Sequence, residues 1–345
     1  DIVSAGYAAW AQSPRSVGND LRLEHEFGLY EVAAGIRFLR EAGFRRVILL
    51  GNSGGSGLYC LYAEQASLLP EARIAKTPGG RPTKLETLDM PAVDGMVFVA
   101  PHPGQGALLQ RCIDPSVLDE ANPLEVDPAL DPFDPGNGFA EPPQASKYDA
   151  AFVQRYRDAQ IERLKRLDDI ARRLIAERLA ARKRSKESPD LVHRRKGAHT
   201  PTMTIWRTDA DLRCFDLSLD PSDRKYGSLW GSDPYASNYG SVGFARFCSP
   251  ESWLSTWSGL SSNALLAKTL PAITQPALLV EYTGDQACFP SVIKEIFSGL
   301  GAADKRHERV RGDHHGRALS PDEEPGRYAA GRILQAWLRE KFPGG

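Results

Sequence analysis

Cysteine is scarce in this chain and shows no pairing pattern. The five residues, Cys60, Cys112, Cys214, Cys248 and Cys288 among 345, are odd in number and scattered, without a C-x-x-C pair. They do not form a disulfide framework and read as reduced, buried thiols, which suits a cytoplasmic protein. A secreted protein with few disulfides also fits this count. Net charge is nearly absent. Lys and Arg number 43 against 44 Asp and Glu, a formal charge of −1, so no global field draws the chain to nucleic acid or an anionic membrane. No apolar run approaches the roughly 20 residues that cross a bilayer. There is no internal repeat and no low-complexity tract. An initiator Met and a signal-peptide pattern are lacking as well: residue 1 is Asp. The expectation is a chain processed or trimmed, or one whose N-terminal piece lies outside this sequence.

What is present is an alternation of apolar runs and amphipathic stretches. Leu29, Val32, Ile36 and Leu39 follow a 3.6-residue period, which predicts a helix over Glu24 to Ala42 stopped by Gly43. Val47 to Leu50, Gly95 to Ala100 and Ala277 to Tyr282 are short continuous apolar runs, as in parallel strands buried on both faces. Arg306 to Arg311 reads as a last, edge strand. Helices are expected over Ser291 to Phe297 and Arg327 to Lys341. This alternation predicts an α/β domain with a mainly parallel sheet.

The alternation stops between about 104 and 272. Residues 113–143 are rich in Asp and Pro, with Asp-Pro at 114, 127, 131 and 134. They lack the D-x-D-x-D-G order and the terminal bidentate Glu of a calcium loop, so they read as extended loop with no metal. Tyr148 to Glu187 reads as one long helix or two consecutive ones. Its apolar stripe is Ile161, Leu164, Leu167, Ala171, Leu174 and Leu179. The stripe is expected to pack on the body of the protein or on a second subunit, a homo-oligomer formed through 148–187. The basic end, Arg178 to Lys186, reads as a solvated face with i,i+4 pairs rather than a nucleic-acid surface. Residues 206–257 are crowded with aromatics. Most are expected in the core, while Trp230, Trp253 and Trp257 are candidates to wall an apolar pocket.

The chemistry concentrates at three places. Gly51-Asn52-Ser53-Gly54-Gly55 joins an apolar strand to a helix, the pattern of a turn that lifts a serine hydroxyl clear of a sheet edge. Gly51 and Gly55 are expected because side chains there would collide in so sharp a turn. A serine needs a base, and the base needs an orienting carboxylate. Tyr282-Thr283-Gly284-Asp285 puts an acid at a strand C-terminus, the edge where sites form in open α/β sheets. Arg311-Gly312-Asp313-His314-His315-Gly316 follows, with His314 29 residues after Asp285. That leaves room for one helix and one strand. His314 is favoured over His315 as the base, and Asp313 is assigned to the loop's own hydrogen bonds. His102, in Ala100-Pro101-His102-Pro103-Gly104, also ends a strand and is a candidate to line the pocket. Cys288 reads as buried rather than reactive.

With Gly51-Asn52-Ser53-Gly54-Gly55, Thr283-Gly284-Asp285 and Gly312-Asp313-His314 in this order, the chain resembles the α/β-hydrolase superfamily over roughly 20–105 and 273–343. The resemblance implies Ser53 as nucleophile, His314 as base and Asp285 as acid. It also implies a large, mostly helical cap between that fold's strands six and seven. The expected division is 1–105 for the first part of the core with the elbow, 106–272 for the cap and 273–345 for the rest of the core. Asp114-Pro115-Ser116-Val117, Asp134-Pro135-Gly136-Asn137-Gly138-Phe139 and Ser252-Trp253-Leu254-Ser255-Thr256-Trp257 are similar to a bacterial branch of uncharacterised hydrolases.

The implied activity is a serine esterase acting on a small-molecule, apolar ester through an acyl-enzyme. It would need no cofactor and no nucleic-acid or membrane partner. A thioester, a lactone or a carbon–carbon bond beside a carbonyl would use the same residues. A non-catalytic binding or assembly protein is the other class of reading. The sequence departs from the superfamily in one respect: only 52 residues precede Ser53 and none forms a His-Gly loop. Gly54 supplies one oxyanion donor. The N-terminal strands are expected to be missing or trimmed, and the second donor to come from residues 1–20, from a preceding segment or from elsewhere.

Overall fold

The computed structural model describes residues 2–16, 19–187 and 190–343. Its centre is a four-stranded parallel sheet. The strands are β1 Ile48–Asn52, β2 Gly95–Val99, β3 Ala277–Tyr282 and β4 Lys305–Val310, adjacent in that order. Ile48 lies opposite Gly95, Met96 opposite Ala277, and Ala277 opposite Lys305. Parallel neighbours need crossovers, and helices supply them. The principal helices are α1 His25–Glu41, α2 Gly55–Ser67, α3 Gln105–Cys112, α4 Ala150–Glu187, α5 Pro290–Gly299 and α6 Gly326–Lys341.

The period-2 alternation of the strands divides the core between two faces. Met96, Phe98 and Leu279 point with Leu29, Ile36, Leu61, Tyr62 and Ile293 into the layer of α1, α2 and α5. Val97, Leu278 and Val280 point the other way, onto Leu334, Trp337 and Leu338 of α6. Every residue of β3 is buried, which is why that run is apolar but for Glu281, whose carboxylate is paired with His307 and Arg309 of β4. β4 is half exposed and charged on its outer side, as an edge strand needs to be.

Residues between β2 and β3 form a large, mostly helical insertion. α4 is a single helix of 38 residues. Leu164, Leu167 and Ala171 of the expected stripe are buried, joined by Phe152, Tyr156 and Ile175. Leu179 is not on that face: it is 53 % exposed, and Ala181 is buried instead. At the basic end, Arg178 pairs with Glu251, and the Arg182 Nε–H is donated to the Gly197 carbonyl.

The stretch expected to be plain loop holds an antiparallel hairpin, Val117–Asp119 with Asn122–Val126. The acids around it make turns. Asp114, Asp119, Asp127, Asp131 and Asp134 each accept, through Oδ1, the N–H two residues further on, at 2.7–3.1 Å. These Asx turns account for the repeated aspartates locally. No described helix is long and apolar enough to cross a membrane.

Candidate active site

The turn after β1 has the form its sequence predicts. Ser53 sits in the left-handed region with φ +50°, which costs a non-glycine residue roughly 1–2 kcal/mol. Its N–H is donated to the Val99 carbonyl at 3.0 Å. The turn is thereby stitched to β2, with the side chain raised above the strand ends.

The two flanking glycines are not equivalent. A Cβ at Gly51 would stand 2.7 Å from both N and Cα of Ser56, which are backbone atoms that cannot step aside. A Cβ at Gly55 would meet nothing within 4 Å, so the expected collision there does not exist. The crowded neighbour is Gly54, whose Cβ would lie 2.8 Å from Gln105 Nε2 and 3.1 Å from His102 Nε2. Gly51→Ala is therefore expected to lower stability by about 1–3 kcal/mol in chemical denaturation and to cost activity with it. Gly55→Ala is expected to be neutral in both measurements. Equal effects at the two positions would refute this account of the turn.

Asp285 follows β3 and is 2 % exposed. Its Oδ1 accepts the N–H groups of Ala287 at 2.7 Å and Cys288 at 2.9 Å. Its Oδ2 lies 2.8 Å from His314 Nδ1. The loop after β4 is tied alongside: Thr283 N–H is donated to Val310 O and Gly284 N–H to Gly312 O, both at 2.9 Å. This brings His314 over the elbow, with Nε2 3.0 Å from Ser53 Oγ. His314 is buried, and His315 beside it is exposed. Burial works against a charged imidazole here, but the Asp285 carboxylate outweighs it, and the His314 pKa is raised. Asp313 Oδ1 accepts the N–H groups of His315 and Arg317, which shapes the loop.

Asp285, Cys288 and His314 are the only described set with metal-ligand spacing, their ligand atoms within 4.8 Å of one another. The donor set does not suit a cation. The Asp285 and His314 atoms are spent on each other, and the Cys288 thiol faces the Ala100 carbonyl at 3.4 Å. Burial pushes that thiol's pKa well up, so it stays protonated.

His102 is 4 % exposed and stands beside Gly54. Burial, reinforced by His314 and His25, lowers its pKa to about 3. The aromatic candidates sit further out. Trp253 is fully buried, its Nε1–H donated to Asp168 of α4 at 2.8 Å. It is core of the insertion, not a pocket wall. Trp257 and the half-exposed Trp230 both pack on Phe244, with ring centroids 6.1 and 5.7 Å away. Phe244 also borders a small cavity of about 10 Å³ whose lining includes Ala287 but none of Ser53, Asp285 and His314.

Two neighbours, the buried His25 and the half-buried Gln105, carry little local sequence signal. His25 donates its backbone N–H to Ser255 Oγ at 2.9 Å, and burial lowers its ring pKa to about 4. Gln105, the first residue of α3, reaches toward Gly54. The position of Gln105 just past the C-terminal end of β2 is the one signal that marks it. Residues 2–15 are held elsewhere. Ile2 and Tyr7 pack on the α6 side of the sheet, while Trp10 stacks on Phe38 and Arg15 pairs with Glu31 of α1.

No protein-family model matches the chain, and no curated protein matches it in sequence. It is similar to solved structures of hydrolases. One is a monoacylglycerol lipase of Paleococcus ferrophilus, at 14 % identity and TM-score 0.36, covering 92 % of this chain and 76 % of that one. Another is a soluble variant of the monoglyceride lipase of Saccharomyces cerevisiae, at 12 % identity and TM-score 0.36, covering 91 % and 69 %. A third is esterase E22, at 12 % identity and TM-score 0.33, covering 89 % and 65 %. Likeness of this order says nothing of what the chain acts on.

Proposed function

We propose that the chain is a serine hydrolase of the α/β-hydrolase type that cleaves a carboxylic ester through an acyl-enzyme. One observation carries the reading: a serine held at φ +50° at a strand-to-helix turn, in line with His314 at 3.0 Å and Asp285 at 2.8 Å beyond it. A strained turn, a buried imidazole and a buried carboxylate each cost stability. Together they make a nucleophile, a base and its orienter. Ser53 Oγ attacks the carbonyl carbon as its proton passes to His314 Nε2. Asp285 holds the imidazolium. The Gly54 N–H, outside the hydrogen-bond ladder of α2, faces the developing oxyanion. His314 then gives the proton to the leaving alkoxide and takes one from water to release the acid. These steps use groups of the chain and water. An apolar acyl or alcohol part is favoured by the Trp230, Phe244 and Trp257 cluster.

The test is hydrolysis of short p-nitrophenyl esters together with labelling of Ser53 by a fluorophosphonate. The base must be neutral to accept the serine proton, and its pKa is raised from the ordinary 6.5. Hence kcat/KM is expected to fall as pH drops through a midpoint above 6.5. Absence of both turnover and labelling would sink the reading, and an acid limb centred below 6.5 would remove His314 as the base.

A further inference from the structure

The basic end of α4 lacks the i,i+4 pairs expected of a solvated face. Such pairs lie further back on the helix, where Arg172 faces Asp168 and Arg173 faces Glu177. Beyond Arg178 and Arg182 come Lys183, Arg184 and Lys186, all exposed and, among the described residues, all without an ion pair. The short helix Leu191–Ala198 turns back along α4. Its Gly197 lies against Arg182, where a Cβ would stand 2.8 Å from Cγ and 3.0 Å from the backbone N. This helix adds Arg194, Arg195 and Lys196, which are exposed and unpaired in the same way. Residues 178–187 and 190–199 hold eight Lys and Arg against Glu187 and Asp190, a formal charge of +6 in a chain whose total is −1. The near-neutral whole therefore conceals a strongly positive hairpin end, with a local field that draws anions.

Apolar side chains stand among these cations. Leu179, Leu191 and Val192 are 53, 56 and 51 % exposed. Leu179 shares one face of α4 with Lys183 and Lys186, four and seven residues further on. Leu191 and Val192 open the short helix, about one turn before Arg194, Arg195 and Lys196. A lone exposed leucine is ordinary. Three of them within a hairpin end dense in Lys and Arg make the pattern of a segment that lies in a lipid interface. We propose that this hairpin end docks the protein on an anionic phospholipid surface, with the six unpaired cations on the lipid phosphates and Leu179, Leu191 and Val192 entering the headgroup layer.

Two other occupants fit less well. A second copy is disfavoured because the apolar stripe of α4 is already used within the insertion, where Leu164, Leu167 and Ala171 pack with Trp253 and Leu254. A two-fold contact of the hairpin end with itself would also set like charges against each other. Nucleic acid is disfavoured because single strands are held by stacking on aromatic rings, and these two stretches contain no Phe, Tyr or Trp. The exposed aliphatic residues gain nothing against a phosphate backbone, whereas a lipid interface buries them. This docking is independent of the serine-hydrolase reading above.

The experiment is sedimentation of the full chain with vesicles of phosphatidylcholine, alone or mixed with phosphatidylglycerol. The protein is expected to pellet with the mixed vesicles, to stay in solution with phosphatidylcholine alone, and to be released as salt is raised. Each cation near such a surface contributes about fivefold in affinity. Lys183→Gln, Arg184→Gln and Lys186→Gln together are therefore expected to weaken binding by about 100-fold. Leu191→Ser with Val192→Ser is expected to weaken it by about tenfold while leaving its salt dependence in place. All five side chains are exposed, so both variants should keep the wild-type denaturation midpoint. Binding that ignores phosphatidylglycerol overturns the proposal, and so does either variant binding as the wild type does. Tighter binding to a single-stranded RNA at the same salt, lost in the triple variant, would assign the face to nucleic acid and overturn it as well. Should a variant not fold, the wild type's dependence on phosphatidylglycerol and salt decides. A protein that pellets with the mixed vesicles but neither turns over esters nor is labelled at Ser53 would sink the hydrolase reading and leave this one standing.

Discussion

Ser53→Ala is expected to abolish ester hydrolysis, with a fall in kcat of about 10⁴–10⁶-fold, and to remove fluorophosphonate labelling altogether. Among the described residues the hydroxyl hydrogen-bonds only with His314, so the variant should fold as the wild type does. The residual rate would come from binding and from the oxyanion donors acting on a water. The same position offers a check on the strain. Ser53 holds φ +50°, a conformation glycine adopts freely. Ser53→Gly is therefore expected to be as inactive as Ser53→Ala but more stable by about 1 kcal/mol, read from denaturant midpoints. That pair of results would show that the strain at this position serves the hydroxyl and not the fold. Full activity in Ser53→Ala would remove the serine mechanism outright.

The parts of this site that could be read from sequence are those whose signal is local. Val47 to Leu50, Gly95 to Ala100 and Ala277 to Val280 stand out because a strand covered on both faces has no polar side to interrupt the run. The order serine, acid, histidine is legible because each residue closes a strand or precedes a helix, and the sheet brings strand ends together. What the sequence hid depends on distance or on shape. His25 and Ser255 meet across 230 positions, and no spacing rule joins them. The hairpin at 117–126 lies on the surface, with Leu118 and Leu124 exposed. Val117 is its one buried residue, too little for an alternation to show, and its Asp-Pro surroundings read as loop. The steric reason assigned to Gly55 failed for another cause. A G-x-S-x-G pattern records which residues recur, not which of them a Cβ would injure, and here the tight spots are Gly51 and Gly54. His102 was visible as a strand-end residue, but its place beside Gly54 was not, because that depends on how the loop after β2 folds back on the elbow.

The second large effect is expected at Asp285, where an isosteric change separates geometry from charge. In Asp285→Asn the side-chain oxygen would stay on the Ala287 and Cys288 N–H groups, which lie 2.7 and 2.9 Å from Oδ1 and can only donate. The amide NH₂ must then take the place of Oδ2 and face His314 Nδ1. Two donors cannot share that 2.8 Å contact. The imidazole responds by moving its proton to Nε2, leaving Nδ1 to accept from the amide. Nε2 then confronts Ser53 Oγ as a donor and can no longer receive its proton. The expected result is a loss of about 10³–10⁴-fold in kcat near neutral pH, with KM little changed, because nothing that binds substrate has moved. The pH dependence should change as well. The Asp285 carboxylate is what holds the His314 pKa up against burial. Its removal leaves burial unopposed, so the acid limb of the residual activity should shift to lower pH than in the wild type. Asp285→Ala is a poorer probe, because it strips the acceptor from two buried N–H groups as well and confounds stability with catalysis. An Asp285→Asn protein with wild-type kcat and an unmoved acid limb would show that the carboxylate serves the fold of the 283–288 turn and takes no part in the proton transfer.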